Sequence, residues 1–287
     1  MAIEHVKSKN NWRHYWHAIM TLAERSSQST FWGLGIFITI TLALLTSALV
    51  LHNSLRFTER NIIYIASQPL FLPIFVNTGL VSLYLAIIAT VTASRERDRG
   101  TLEVLFYGPV DEMAFILGLF LAQLKVFLVA ILVAVVWLNL VTWLLHLAFS
   151  IEMYIILITS IVMAGAVIAF GLLIAVWGGR TRTALVYFLL VLMLLAGLQI
   201  ADQVISGLVL VTNPTMNDPI LVIRNALVVV SGVVQWVSPY SQLNQAMDAV
   251  MLHHLSGYLL HLGVILFQVL VLLLGSILIL KRKGVRG

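Results

Sequence analysis

The chain has no cysteine among its 287 residues. Thiolate catalysis, cysteine-ligated zinc, iron–sulfur clusters and disulfides are therefore excluded. Charge is almost as scarce, since only 10% of the residues are Asp, Glu, Lys or Arg. A soluble domain carries about 25%. So few charges cannot cover a water-soluble protein of this length. An ordinary soluble enzyme, a secreted disulfide scaffold and a disordered chain fall together. No Gly-x-x-x-x-Gly-Lys-Ser/Thr sequence is present, so the chain brings no phosphate-binding loop. No carboxylate pair lies in the middle of a long apolar run, which removes the usual basis for proton or sodium coupling. No Ser-His-Asp order stands out, so an intramembrane hydrolase has no positive support and no catalytic residue is assigned. His253, His254 and His261 have no acidic partner at close spacing, which leaves them structural and gives no metal site.

What is present is hydrophobicity: 61% of the residues are apolar or aromatic, and the mean hydropathy is +1.02. A spanning helix needs about 20 mostly apolar residues. Six runs qualify, at 31–51, 69–93, 113–147, 153–177, 183–200 and 258–280. The third is too long for a vertical span and must tilt or project. Region 201–257 holds two shorter apolar runs, 204–211 and 220–234, interrupted by Asn213-Pro214, Asp218-Pro219 and Arg224. Polar breaks at depth are tolerated only against protein or water, so this region is expected to be re-entrant. The fold class is an all-α polytopic membrane protein, one transmembrane domain over 1–287.

Most of the 17 basic residues lie before the first run, in the loops after the second and fourth, and in the tail. Arg56, Arg60, Lys125 and Arg224 are the exceptions. The positive-inside bias puts both termini in the cytoplasm, which agrees with an even number of spans. It also makes 201–257 extracellular, and the basic pI reflects lipid-facing loops, not nucleic-acid binding. No cleavable signal peptide is expected in the first thirty residues. Instead, 10–28 reads as an amphipathic helix with Trp12, Tyr15, Trp16, Ile19 and Ala23 on one face. Aromatics beside basic residues suit a helix lying on the cytoplasmic leaflet.

Intramembrane polar residues are few. Lys125 lies about 18 Å into the third run; it either snorkels to the interface or faces a cavity. Gln123, Asn139, His146, Gln199 and Gln268 are candidates for interhelical hydrogen bonds or a cavity. Of these polar groups, Lys125, Asn139 and Gln199 are the candidate translocation pathway. Gly165-x-x-x-Ala169 and Ala130-x-x-x-Ala134 permit close helix packing.

The loop 94–112 is the most informative stretch. A charged helical end runs to Arg99, and Gly100 breaks it. Thr101 caps a short helix with Glu103 in its first turn and Leu102, Leu105 and Phe106 on one face. Gly108 and Pro109 stop it. The expected product is a short surface helix rigidly joined to two spans, a geometry suited to transmitting force from a cytoplasmic partner.

The order Arg95-Glu96-Arg97-x-Arg99-Gly100-Thr101-Leu102-Glu103-x-Leu105-x-x-x-Pro109-Val110 resembles the signature of ABC-2 type permeases, the membrane subunits of ATP-driven transporters that are mostly exporters. Val237-Ser238-Pro239-Tyr240 is similar to the family's Ser-Pro segment before the last span, and Lys281-Arg282-Lys283 to its basic C-terminus. The chain departs from the family pattern at Leu117-Gly118-Leu119, where many relatives carry Gly-Lys. The resemblance implies a prokaryotic inner-membrane permease that is not itself an enzyme. It implies separate ABC ATPase subunits that bind ATP and Mg, and a second permease copy or paralogue beside it in the lipid. It makes Glu96, Arg97, Arg99, Gly100, Thr101, Leu102, Glu103, Leu105 and Pro109 the ATPase-coupling residues. Asn213, Pro214, Pro219 and Pro239 would set the bends of an outer gate. The cargo expected is hydrophobic, amphipathic or lipid-like. A mechanotransmission or scaffold subunit is the alternative, and an ion-coupled secondary transporter the lesser one.

Overall fold

The computed structural model describes residues 11–61, 69–100, 102, 110–147, 149–212 and 219–283. Among them the elements are α1 (Asn11–Phe31), α2 (Leu34–Asn61), α3 (Phe71–Asp98), α4 (Glu112–Leu144) and α5 (Ile151–Gly178). They continue with α6 (Thr181–Thr212), α7 (Pro219–Val237), α8 (Pro239–Met251) and α9 (Leu255–Lys283). Six helices, α2 to α6 and α9, are long and apolar enough to cross a membrane. The chain is a helical membrane protein.

The centre of the bundle is the pair α3 and α5, which run side by side in the same direction. Ser82 lies at Met163, Thr90 donates to the Gly171 carbonyl at 3.0 Å, and Arg97 reaches Val176. Small residues allow the close approach. A Cβ on Gly171 would stand 2.6 Å from the Ala86 carbonyl oxygen. At Gly165 the nearest atom, on Phe120, is 3.5 Å away. The tight crossing is therefore at Gly171, two residues past the small-residue pair that the sequence pattern picked out. α2 packs antiparallel on α3, with Gly35 at Tyr84 and the Ser47 hydroxyl donating to the Pro73 carbonyl at 3.0 Å.

α4 has 33 residues, about 50 Å of helix, more than the roughly 30 Å of a bilayer core. α1 lies along its first turns in the same direction. Tyr15 sits near Asp111 and Glu112, and burial and those carboxylates push its phenol pKa up. Farther along, Gln123 donates to the Thr30 hydroxyl at 3.3 Å. Ile19, Ala23, Ser27 and Thr30 are the buried stripe of α1. Trp16 and Met20 stay exposed at 49% and 45%. The single apolar face expected of residues 10–28 is thus divided. α4 takes one edge of a wide stripe, because Gly118 lets Leu22 and Ile19 approach its backbone. α1 ends at Trp32-Gly33, where the chain turns into α2.

The fifth apolar run is longer than hydropathy suggests. α6 continues without a break through 204–211 to Thr212. Asp202 and Gln203 lower the hydropathy there but do not stop a helix, as proline would. After 213–218, which lie outside the described residues, α7 and α8 meet at Ser238, and α9 follows and packs on α8. Ser238 caps α8, its hydroxyl accepting from the Ser241 amide at 3.5 Å, and Pro239 fills the first helical position. That is the conformational use of a Ser-Pro pair: a side-chain acceptor for a free amide, then a residue with no amide to satisfy.

Candidate functional site

Two places concentrate polar groups within the apolar bundle. The first is the end where α3 and α5 finish and α6 begins. Arg97 is only 8% exposed. Its Nη1 donates to the Val176 carbonyl at 2.7 Å. The last carbonyls of a helix have no intrahelical donor and carry the negative end of its dipole. A guanidinium there satisfies both. Gly179 closes α5 with φ +73°, and its amide donates to the Ala175 carbonyl at 3.2 Å. Thr181 then donates to the Asp98 carboxylate at 3.5 Å. The last turn of α3 is thereby tied to the end of α5 and the start of α6.

Gly100 follows with φ +71°, where a side chain would be strained. Glu96 is half-buried and has an interaction partner, Arg99 is exposed, and Leu102 is buried. Thr101, Glu103, Leu105 and Pro109 lie outside the described residues. The sequence signature gave no indication of Val176, Gly179 or Thr181 as partners. The available signal was Gly178-Gly179 closing an apolar run just before Arg180.

The second place is a cavity of about 440 Å³ between α6 and α9, floored by α3 and α5 and roofed by the turn between α7 and α8. Leu83, Phe170, Leu195 and Phe267 line it, and among the described residues no charged side chain does. It exists because α6 packs on α3, α5 and α7 but not along α9. The roof is held by polar bonds. Tyr240 shares a 3.2 Å hydrogen bond with Ser82 and stands edge-on to Phe75. Gln242 is fully buried; its Nε2 donates to the Gln235 carbonyl at 2.7 Å, and its Oε1 faces His261 Nδ1 at 2.8 Å. With the amide so oriented, His261 Nδ1 is the donor.

Gln268 on α9 donates from Nε2 to the Trp236 carbonyl at 2.7 Å. That contact fixes the amide orientation, because a flip would set oxygen against oxygen. Gln268 Oε1 is then buried without a partner. An unsatisfied buried acceptor costs about 1–3 kcal/mol.

Of the sequence-based pathway residues with described side chains, neither Lys125 nor Asn139 lines this cavity. Lys125 is exposed on the outer surface of α4, just before an exposed apolar stripe that includes Leu128, Leu132, Val136 and Trp143. Asn139 is spent between helices: Nδ2 donates to the Val135 carbonyl and Oδ1 accepts from the Tyr154 hydroxyl. Gln199 is helical in α6, and its side chain is not among those described. Of the gate residues, Pro239 lines the cavity and Pro219 opens α7, while Asn213 and Pro214 lie outside the described residues. Among the described residues no group of three His, Cys, Asp or Glu could hold a metal ion. The chain matches no family model and no curated protein.

Proposed function

We propose that this chain is the membrane subunit of an ATP-driven transporter of the ABC-2 type. In this reading it exports a hydrophobic, amphipathic or lipid-like cargo and takes its energy from separate ATPase subunits. The observation that carries it is the Arg97–Val176 hydrogen bond. It ties the helix end that bears the Arg-Gly-Thr-Leu-Glu order to the central α3–α5 pair. A push on 101–109 would therefore move two packed helices together instead of bending a loose loop.

The mechanism follows from that coupling. Two partner ATPases close on ATP and Mg and press on the segment after Gly100 and on α1. Two permease copies, or a copy and a paralogue, rock against each other and open a pathway outward, a ligand-driven shift between two states. Both termini face the cytoplasm of a prokaryotic inner membrane in this scheme. Supporting it, Arg95, Arg97, Arg99, Arg180 and Arg182 gather at one end of the bundle. α9 carries Lys281 and Arg282 towards the same end, because Gly275 packs at the level of Leu173.

The α7–α8 pair is the re-entrant outer gate in this scheme. Its turn lies beside Ser82, about 16 Å along α3 from Phe71, and beside Gln268, about 20 Å along α9 from Leu255. Such depth is roughly half of a bilayer core.

A single cysteine placed at Glu103, in a chain that has no other, provides the test. A thiol–amine cross-linker is applied in membranes from the native host, and the partner is identified by mass spectrometry. The expected partner carries a phosphate-binding loop. Folded, labelled protein that captures other proteins and never an ATPase would overturn the assignment.

A further inference from the structure

We propose that the cleft between α6 and α9 binds a neutral single-chain amphiphile whose polar end donates a hydrogen bond to Gln268. Three observations point to that chemistry. The described lining is apolar and carries no charge, so an ionised headgroup would be desolvated without a partner there. The cleft lies between two helices long and apolar enough to span the membrane, so its mouth opens where lipid chains are. Among the described lining side chains, the buried polar atoms are paired with one exception. Tyr240 is bonded to Ser82, and Ser238 caps α8. Gln268 Oε1 alone among the lining side chains is a buried acceptor with no donor.

The occupant is therefore a long-chain alcohol or an equivalent molecule with one apolar chain and one uncharged hydroxyl. Its chain lies along Val191, Leu195 and Phe267. Its hydroxyl meets the Gln268 amide, which turns slightly out of the packed roof to accept the bond. Occupancy would also fill the space beneath the α7–α8 turn and hold that turn where it is. This binding stands apart from ATPase coupling: either can fail while the other holds, and the two experiments read different quantities.

The full chain, purified and placed in phosphatidylcholine nanodiscs, is irradiated with a long-chain alcohol that carries a diazirine midway along its chain. Adducts are mapped by mass spectrometry. They should concentrate on Val191, Leu195 and Phe267. The unlabelled alcohol should compete, and the fatty acid of the same length should not. Gln268→Leu should weaken competition about tenfold, the worth of one hydrogen bond to a buried acceptor. Ala196→Trp should abolish labelling by filling the mouth. Adducts spread evenly over exposed positions such as Leu132 and Val136, without competition, would overturn the proposal. So would equal competition by the fatty acid, or a second copy's helix cross-linked into the cleft. The wild-type competition stands even if a variant fails to fold.

Discussion

Arg97 on α3 donates a 2.7 Å hydrogen bond to the Val176 carbonyl at the end of α5. The bond joins a charged donor to a helix terminus, the place where a backbone acceptor most needs one. Arg97→Met should cost about 2 kcal/mol, the range for a hydrogen bond to a charged group. Arg97→Lys, with a single-point ammonium, should recover part of that. Thermal unfolding of the purified variants in one detergent would rank wild type, lysine and methionine in that order. Equal midpoints for all three would remove the clamp.

Gly171 and Gly165 differ in what surrounds them, and substitution should separate them. Gly171→Ala drives a Cβ to within 2.6 Å of the Ala86 carbonyl oxygen, and overpacking of this kind costs about 1–3 kcal/mol. At Gly165 the same change meets ordinary contacts and gains helix propensity, so the expected shift is within about 1 kcal/mol of zero or slightly favourable. The two thermal midpoints check it, and a larger loss at Gly165 would contradict the packing.

His146 and His253 each take φ of 52° just beyond a helix end. Glycine is the usual residue there, since a side chain in the left-handed region costs about 1–2 kcal/mol. His146→Gly and His253→Gly should each raise the unfolding midpoint. A fall at either position would mean that the imidazole makes a contact worth more than the strain.

The α1–α4 seam offers a double-mutant cycle. Gln123 is fully buried, donates to the Thr30 hydroxyl, and leaves Oε1 unpaired. Thr30→Val strands the remaining donor and should cost about 1–3 kcal/mol. The pair Thr30→Val with Gln123→Met should cost less than either change alone. An additive double variant would show that the two side chains do not act together.

The six long helices were legible because a run of about 20 apolar residues has few other uses. Ends and partners were harder. Asp202 interrupts the hydropathy of α6 but not its backbone, so 204–211 reads as a separate piece in the sequence and as one helix in space. Residues 10–28 announce an amphipathic helix, yet one wide stripe cannot say which edge stays exposed and which meets α4. Gly118 decides it, and a glycine in an apolar run carries no address. The cleft was hidden for a related reason, because apolar cavity walls and lipid-facing surfaces have the same composition. Gln268 and the Ser238-Pro239 pair were its visible traces. Arg97 was conspicuous, but Val176 contributes a backbone carbonyl, which every residue has.

The seam between α1 and α4 also sets a timetable for synthesis. α1 leaves the ribosome long before its packing partner exists, because α2, α3 and the loops between them must be made first. At about 10 residues per second, roughly ten seconds separate the two helices. For that interval Ile19 and Ala23 have no α4 to cover them, and the charged outer face of α1 keeps the helix near water. Docking of α1 is therefore a late step, available only once the 33 residues of α4 are in place. A nascent chain halted before Glu112 should leave α1 open to protease, and one halted after Leu144 should protect it.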